Sequence, residues 1–433
     1  FSQLNEINLM VVNSMSYATY DSYKESGVDW LGAIPSDWQS KKLGILLTEF
    51  SKKNNPNLPL LSITRELGVI TRDMDDQESN HNFIPDDLSG YKLLKEGQFG
   101  MNKMKAWQGS YGISKYTGIV SPAYYVFDVS NEIYPNFFNI AIRSKFYVDF
   151  FGSASDGVRI GQWDLNKTRM REIPFIFPSL EQQKKIYEFL SKKIKQIDQA
   201  ISLKQQQIEK LNEYKQIVIQ NAVTKGLNPN VPMKDSGVEW IGDIPEHWDV
   251  KKLKYVLKSY NKKISSRNSD LRYLGMENII SKTGEINNES AEVEGLANHF
   301  KPNHILFGKL RPYLAKVYLA DFEGICSTEF LVFEVLEPNN AKFLQILLLS
   351  NGFIQNIDSS TYGSKMPRAN PDFINNQFIA IPPLDEQLQI INAIENKNQP
   401  IKQAIEKYQT QIDRLKEYKN ILINQAVTGK IKI

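Results

Sequence analysis

Two short basic segments carry the side chains best suited to binding DNA. Lys103 and Lys105 precede Trp107 in the first half of the chain, and Lys309 and Arg311 precede Tyr313 in the second half. Two cations can contact phosphates, and the aromatic ring that follows them can lie against a sugar or a base. Arg and Lys can also donate hydrogen bonds to guanine edges in the major groove. The paired segments therefore predict two DNA-binding surfaces.

A second pair of matched cations follows the basic segments. Arg159 and Lys365 occupy corresponding positions, each two residues after a glycine, and Arg368 lies in the same loop as Lys365. Asn370 adds an amide that could recognise adenine. A single surface cation is more often merely solvated, but recurrence in both halves favours binding. The candidate DNA-binding residues are Lys103, Lys105, Trp107, Arg159, Lys309, Arg311, Tyr313, Lys365, Arg368 and Asn370.

The sequence carries no recognisable catalytic motif. It contains neither the phosphate loop G-x-x-x-x-G-K-S/T nor a G-x-G-x-x-G segment after a strand, and its four histidines lack metal-ligand spacing. Pro85-Asp86 and Pro371-Asp372 superficially resemble nuclease motifs, but no suitably placed Glu-x-Lys or Asp-x-Lys follows them. Asn370-Pro371-Asp372-Phe373 departs from the Asn-Pro-Pro-aromatic strand of DNA methyltransferases. We predict a non-catalytic chain that binds no metal or cofactor itself.

The candidate residues lie in two copies of one unit, at about residues 25–223 and 235–427. ESGVDWLGAIPSDWQSKKL recurs as DSGVEWIGDIPEHWDVKKL, and EKLNEYKQIVIQNAVTKG recurs as DRLKEYKNILINQAVTGK. Trp30 and Trp38 in the first copy, and Trp240 and Trp248 in the second, are predicted to pin a turn-rich entry segment. Between these ends, short strand-like runs alternate with turn residues, which is typical of an α/β or mainly β domain.

A long helix is predicted at the end of each copy. Glu181 to Ala222 contains no Pro or Gly, which allows a helix of roughly 60 Å. Apolar residues recur at alternating steps of four and three, the spacing of a coiled coil. Pro400 lies in the second helix alone, where we expect a kink or break. The predicted seam comprises Leu190, Ile194, Ile197, Ile201, Ile208, Leu211, Ile394, Ile401, Ile405, Ile412 and Leu415.

Two arrangements of these helices are compatible with the pattern. Each helix can pack on its own globular half, or the two seams can pair with each other. An antiparallel pair would place the domains at opposite ends with pseudo-twofold symmetry, and would act as a spacer. We favour this second, α+β arrangement of two α/β domains in tandem repeat separated by a coiled coil. It assigns residues 20–180 and 235–383 to the domains, and 181–225 and 384–428 to the helices.

Composition agrees with two globular cores. The 433 residues exceed the usual size of a single domain, and 41% hydrophobic content can fill a core in each half. The formal charge of +3 neither requires nor excludes a polyanionic partner. The single cysteine, Cys326, excludes an internal disulfide framework and fits a reducing cytoplasm. No apolar run is long enough to span a membrane.

The chain resembles the specificity (S) subunits of Type I restriction-modification systems over nearly its whole length after residue 20. The resemblance rests on the W-x-G-x-I-P entry segments, on FGKLRPYLAKV, on the PSLEQQ and PPLDEQ junctions, and on NAVTKG and QAVTGK. MNKMKAWQGSYG in the first half departs from the family pattern.

This resemblance implies that the two domains are target recognition domains, that each reads half of a split, asymmetric site in double-stranded DNA, and that the coiled coil sets the unread gap. It also implies two modification (methyltransferase) subunits that bring S-adenosylmethionine, and restriction subunits that bring ATP and Mg. The alternatives are a stand-alone DNA-binding or nuclease protein with duplicated domains, and a coiled-coil scaffold.

Overall fold

The computed structural model describes residues 17–28, 31–72, 85, 87–159, 162–266, 269–287, 295–363 and 366–433. The chain forms two compact units. Unit 1 consists of Phe1–Lys204 and Gln409–Ile433, and unit 2 consists of Gln205–Tyr408. Each unit therefore combines one mixed α/β domain with sections of both long helices, which matches the predicted α+β class.

Unit 1 is built from short strands and helices. Its strands are β1 Tyr23–Glu25, β2 Ala33–Pro35, β3 Gln39–Lys42, β4 Leu47–Glu49, β5 Leu61–Thr64, β6 Gly68–Thr71, β7 Lys92–Leu94, β8 Phe99–Met101, β9 Tyr111–Ile113, β10 Gly118–Val120, β11 Tyr125–Val129, β12 Ser155–Arg159, β13 Gln162–Leu165 and β14 Pro174–Phe177. Its domain helices are α1 Leu43–Leu46, α2 Pro135–Ile142, α3 Lys145–Ser153 and α4 Lys167–Glu172, with a 3-10 helix at Lys103–Gln108.

The central sheet of unit 1 has the order β4-β11-β8-β9 and is antiparallel. β14 pairs with β3, and β12 pairs with β13 in a hairpin. Fully buried aromatic side chains such as Phe99, Phe127, Phe138 and Phe175 fill the core between the sheet and helices α2 and α3. β-branched and aromatic residues suit this pleated, half-buried surface, so the short strand-like runs of the sequence become its strands.

Unit 2 repeats this plan. Its strands are β15 Met233–Asp235, β16 Asp243–Pro245, β17 Asp249–Lys252, β18 Leu257–Ser259, β19 Lys263–Ser265, β20 Tyr273–Leu274, β21 Leu296–Phe300, β22 Ile305–Gly308, β23 Val317–Leu319, β24 Gly324–Cys326, β25 Phe330–Val335 and β26 Phe378–Ile381. Its domain helices are α6 Ala341–Leu348, α7 Asn351–Asp358 and α8 Pro371–Asn375, with 3-10 helices at Leu253–Tyr255, Met276–Asn278 and Pro312–Leu314. The central sheet has the order β18-β25-β22-β23, which corresponds strand by strand to that of unit 1.

The two long helices are α5 Leu180–Lys225 and α9 Leu384–Val427. In unit 1 they run antiparallel, because Asp198 accepts from Lys419 at 2.7 Å whereas Lys204, later in α5, donates to Gln411, earlier in α9, at 2.6 Å. In unit 2 the late α5 residues Ile219, Ala222 and Val223 share a core with the early α9 residues Ile390, Ile391 and Ile394. Within each unit, the predicted packing of the two helices is confirmed.

The predicted break at Pro400 is wrong, and a kink there stays a prediction. Helix α9 continues through Pro400, although proline lacks the N–H that would bond to the carbonyl four residues earlier. Ile394 and Ile401, on either side of it, are buried. We attribute the continuity to this packing, which stabilises the helix on both sides of the lost hydrogen bond.

The entry segments are pinned by tryptophan as predicted, since Trp38 and Trp248 are both fully buried. Trp30, also assigned to this role, lies outside the described residues. Cys326 is buried, and burial raises the pKa of its thiol to about 12. Among the described helices, none is long and apolar enough to cross a membrane.

Candidate nucleic-acid interface

The basic segment of unit 1 forms a 3-10 helix, Lys103–Gln108, directly after the central strand β8. The side chain of Asn102 caps the helix by accepting from the backbone N–H of Met104 at 3.2 Å. The helix ends at Gly109, whose φ of 90° lies in the left-handed region that favours glycine. Lys103 is half-buried and pairs with Asp164 at 3.1 Å, whereas Lys105 is exposed.

The hairpin of β12 and β13 packs against this 3-10 helix. Trp107 stacks on Trp163 of β13, with ring centroids 5.3 Å apart and planes inclined by 26°. Arg159 ends β12 opposite Gln162. The structure therefore brings the backbone of Arg159 into the hairpin that lies beside Lys103 and Trp107.

In unit 2 the basic segment pairs with the loop that carries Arg368. The backbone N–H of Arg311 donates to the carbonyl of Pro367 at 2.7 Å, and that of Ala369 donates to Lys309 at 3.0 Å. Tyr313 follows in a 3-10 helix and is 44% exposed. Lys365 lies outside the described residues. Two segments that the sequence singled out separately, Lys309–Arg311 and Pro367–Ala369, thus form one surface.

Two predicted DNA-reading side chains of unit 2 make contacts within the protein. Arg368 binds Glu329 through two hydrogen bonds, from Nη2 to Oε1 at 2.7 Å and from Nε to Oε2 at 3.2 Å. Asn370 caps helix α8, where its side-chain oxygen accepts from the backbone N–H of Asp372 at 2.8 Å. Its recognition of adenine stays a prediction, and the contact observed is local.

The two units place opposite charges at one equivalent position. Asp164 lies two residues before Asn166, which caps α4, and Arg368 lies two residues before Asn370, which caps α8. Asp164 pairs with Lys103 of the basic segment, whereas Arg368 pairs with Glu329 before strand β25. Trp163, Asp164 and Glu329 were absent from the predicted site. Trp163 gives a sequence signal, a large aromatic in a short polar strand, but the ion pairs give none.

The predicted seam residues are all buried or half-buried. The buried members are Leu190, Ile197, Ile394, Ile401, Ile412 and Leu415, and the half-buried members are Ile194, Ile201, Ile208, Leu211 and Ile405. Lys204 is a polar residue within the seam; it is 3% exposed and donates a hydrogen bond to Gln411. Burial lowers the pKa of Lys215, which Glu285 partly opposes and Lys402 reinforces.

Within the described part of the chain, no group of three or more His, Cys, Asp or Glu side chains could hold a metal ion. His304, one of the four histidines, is buried beside Tyr260, and its Nδ1 accepts from the backbone N–H of Lys301 at 3.3 Å. Burial lowers the pKa of His304. These contacts indicate a packing role.

The sequence model of one protein family, the Type I restriction modification DNA specificity domain, matches the chain twice, over residues 35–213 and 245–417. The Type I restriction enzyme MjaVIII specificity subunit of Methanocaldococcus jannaschii is 24% identical over 425 residues, 92% of this chain and 94% of that protein. The Type I restriction enzyme EcoDI specificity subunit of Escherichia coli is 22% identical over 389 residues, 84% and 82% of the two chains.

A chain from a solved structure on complex assembly and conformational transition of the type I R-M system has a similar fold. It aligns with a TM-score of 0.67 at 12% identity, and the alignment covers 91% of this chain and 98% of that one.

Proposed function

Because the chain belongs to the Type I restriction modification DNA specificity domain family, we propose that it is the DNA sequence-recognition subunit of a Type I restriction-modification complex. Each domain reads one half of a bipartite, asymmetric site in double-stranded DNA. The observation that carries this proposal is that a basic segment follows the same central strand, β8 or β22, in both units. Each segment is also braced by the segment that precedes an Asn-capped helix.

The two domains are expected to read different DNA sequences, because they carry different side chains at corresponding positions of the same fold. Trp107 stands where unit 2 has Tyr313, and Asp164 stands where unit 2 has Arg368. A carboxylate accepts from cytosine, whereas a guanidinium donates to guanine. A hydrogen-bond acceptor in one domain and a donor at the same position in the other therefore favour different base sequences in the two half-sites.

Helices α5 and α9 act as the spacer that sets the gap between half-sites, and they dock two modification (methyltransferase) subunits. Those subunits bring S-adenosylmethionine and methylate adenine, while restriction subunits bring ATP and Mg. The chain itself supplies recognition and no catalysis, and it works in the cytoplasm with these partners. The support for this division is the family membership together with the basic surfaces described above.

The test uses the full chain in complex with its methyltransferase subunits. Replacing Lys309, Arg311 and Lys365 together by Ala should weaken binding to a duplex carrying the site by at least about 100-fold, because each paired base contact contributes about 1–3 kcal/mol. A control removes the same charge from Lys234, Lys251 and Lys342, which are exposed elsewhere in unit 2. Binding that survives the first triple substitution would contradict the proposal and favour a scaffold. Metal-dependent DNA cutting by the purified chain alone would establish the nuclease alternative instead.

A further inference from the structure

A cluster of lysines surrounds Tyr125 in unit 1. The amine of Lys92, at the start of β7, lies 5.9 Å from the centre of the Tyr125 ring, and the amine of Lys167, at the start of α4, lies 5.4 Å from it. Tyr125 begins β11, opposite Met101 of β8. Three elements far apart in sequence thus bring two cations onto one aromatic ring. Lys53 and Lys103 lie close enough to the Lys92 amine to repel it, and we call Tyr125, Lys53, Lys92, Lys103 and Lys167 the Tyr125 cluster.

The lysines of this cluster act on one another. Burial lowers the pKa of the Lys92 amine, Glu49 opposes this shift, and the nearby cations Lys53, Lys167 and Lys103 lower the pKa further. The four amines face two carboxylates, since Glu49 pairs with Lys167 and Asp164 pairs with Lys103. The cluster therefore holds a local excess of positive charge.

Contacts within the protein leave hydrogen-bonding capacity in the cluster. Lys92 donates to the backbone carbonyl of Tyr124 at 2.6 Å, which uses one of the three N–H groups of its ammonium. Among the described carboxylates, none lies within ion-pair distance of Lys53 or Lys92, and Lys53 is exposed. An aromatic ring attracts cations without neutralising them. An anion would satisfy the remaining donors and cancel the repulsion.

Unit 2 lacks Tyr125 and the two lysines that lie on its ring, whereas Lys263 corresponds to Lys53 and Lys309 to Lys103. Strand register places Leu331 at the position of Tyr125 and Asn298 at the position of Lys92, and the first residue of α8 is Pro371 where α4 has Lys167. The strands of the two domains correspond at these positions, and only the side chains differ. The cluster is therefore a property of the first domain and is not required by the shared fold.

We propose that the Tyr125 cluster binds backbone phosphates of the DNA half-site that the first domain reads. Lys103 belongs to both the cluster and the basic segment, so the phosphate contacts continue directly from the candidate base-reading surface. The inference rests on the proposed function and adds an asymmetry to it. The first half-site is held by a phosphate contact that the second lacks, and phosphate contacts give affinity without reading sequence.

The test measures DNA binding against salt concentration for the full chain in complex with its methyltransferase subunits. Lys53→Gln combined with Lys92→Gln removes two phosphate contacts, so the slope of log affinity against log salt should fall by about 1.8. At about 0.1 M salt this corresponds to roughly 60-fold weaker binding. The loss should be equal for a duplex with the site and for an unrelated duplex. Lys115→Gln with Lys145→Gln, which removes the same charge from exposed positions, should leave the slope unchanged.

Three outcomes would overturn the inference. The first is an unchanged slope in a double variant whose thermal unfolding matches that of the parent. The second is a loss confined to the specific duplex, which would assign the lysines to base reading. The third is a folded double variant that no longer assembles with the methyltransferase subunits, which would assign the cluster to a protein contact. If the parent complex bound the duplex with the site no more tightly than the unrelated duplex, the proposed function would be contradicted instead. The dependence of binding on salt would still test whether the cluster contacts phosphates.

Discussion

Replacing Trp248 by Phe should destabilise its unit more than replacing Trp38 by Phe destabilises the other. Both indoles are fully buried at corresponding places in the entry segments. Trp248 donates through Nε1 to the carboxylate of Glu386 at 3.0 Å, and Glu386 also lies 2.8 Å from Nε2 of His247. The Trp38 ring instead lies against Tyr20, with centroids 6.0 Å apart, and no described carboxylate receives its N–H.

The difference between the two substitutions isolates one hydrogen bond. Both changes remove the same pyrrole ring from a buried position, so the loss of packing largely cancels in the comparison. The buried N–H of Trp38 has no hydrogen-bond partner among the described residues, and a hydrogen bond to a charged group contributes about 1.5–3 kcal/mol. We therefore expect Trp248→Phe to cost about 1.5–3 kcal/mol more, which is roughly a ten- to 150-fold difference in the local opening constant.

Hydrogen exchange read by mass spectrometry reports each unit separately. For Trp248→Phe the backbone amides of β17 and β26 should lose protection, and for Trp38→Phe those of β3 and β14 should lose less. Glu386→Gln keeps the size of the side chain and weakens the bond, so it should affect β17 and β26 alone. Equal losses in the two units, or a larger loss for Trp38→Phe, would refute the reasoning.

Three further changes test other parts of the structure. Trp163→Ala removes the ring that stacks on Trp107 and should weaken binding to the first half-site in a DNA-binding assay, while recognition of the second half-site stays intact. Exchanging Glu329 and Arg368 for each other's residue type restores an ion pair that either single change breaks, so the melting temperature of the chain should fall in the single variants and partly recover in the double variant. Deleting one heptad from both long helices should change the gap found by methylation mapping, and altered half-site sequences would count against the spacer role.

The long helices and the seam could be predicted from the sequence because the pattern that determines them is local. A run without Pro or Gly and apolar residues at alternating steps of four and three determine a helix and its packed face. The continuity of the helix through Pro400 could not be predicted, because Ile394 and Ile401 on either side of it are buried by residues distant in sequence. The matched cations were found since the duplication lets one half of the chain serve as a comparison for the other.

The interactions that shape the candidate site could not be predicted, since they join segments with no common period. Asp164 pairs with Lys103 across 61 residues, and Arg368 pairs with Glu329 across 39. The Tyr125 cluster draws Lys92 and Lys167 from two further elements. A charged residue in a sequence shows its sign, but its partner depends on how the strands are arranged.

If each domain reads its own half of a split DNA site, the methylated adenines should show it. They can be mapped across the genome of cells that express this chain with its methyltransferase subunits. We expect one asymmetric site, in which two different specified sequences flank a gap of fixed length with no base preference. A contiguous or palindromic site, or a methylation pattern that does not change when this chain is replaced, would contradict it.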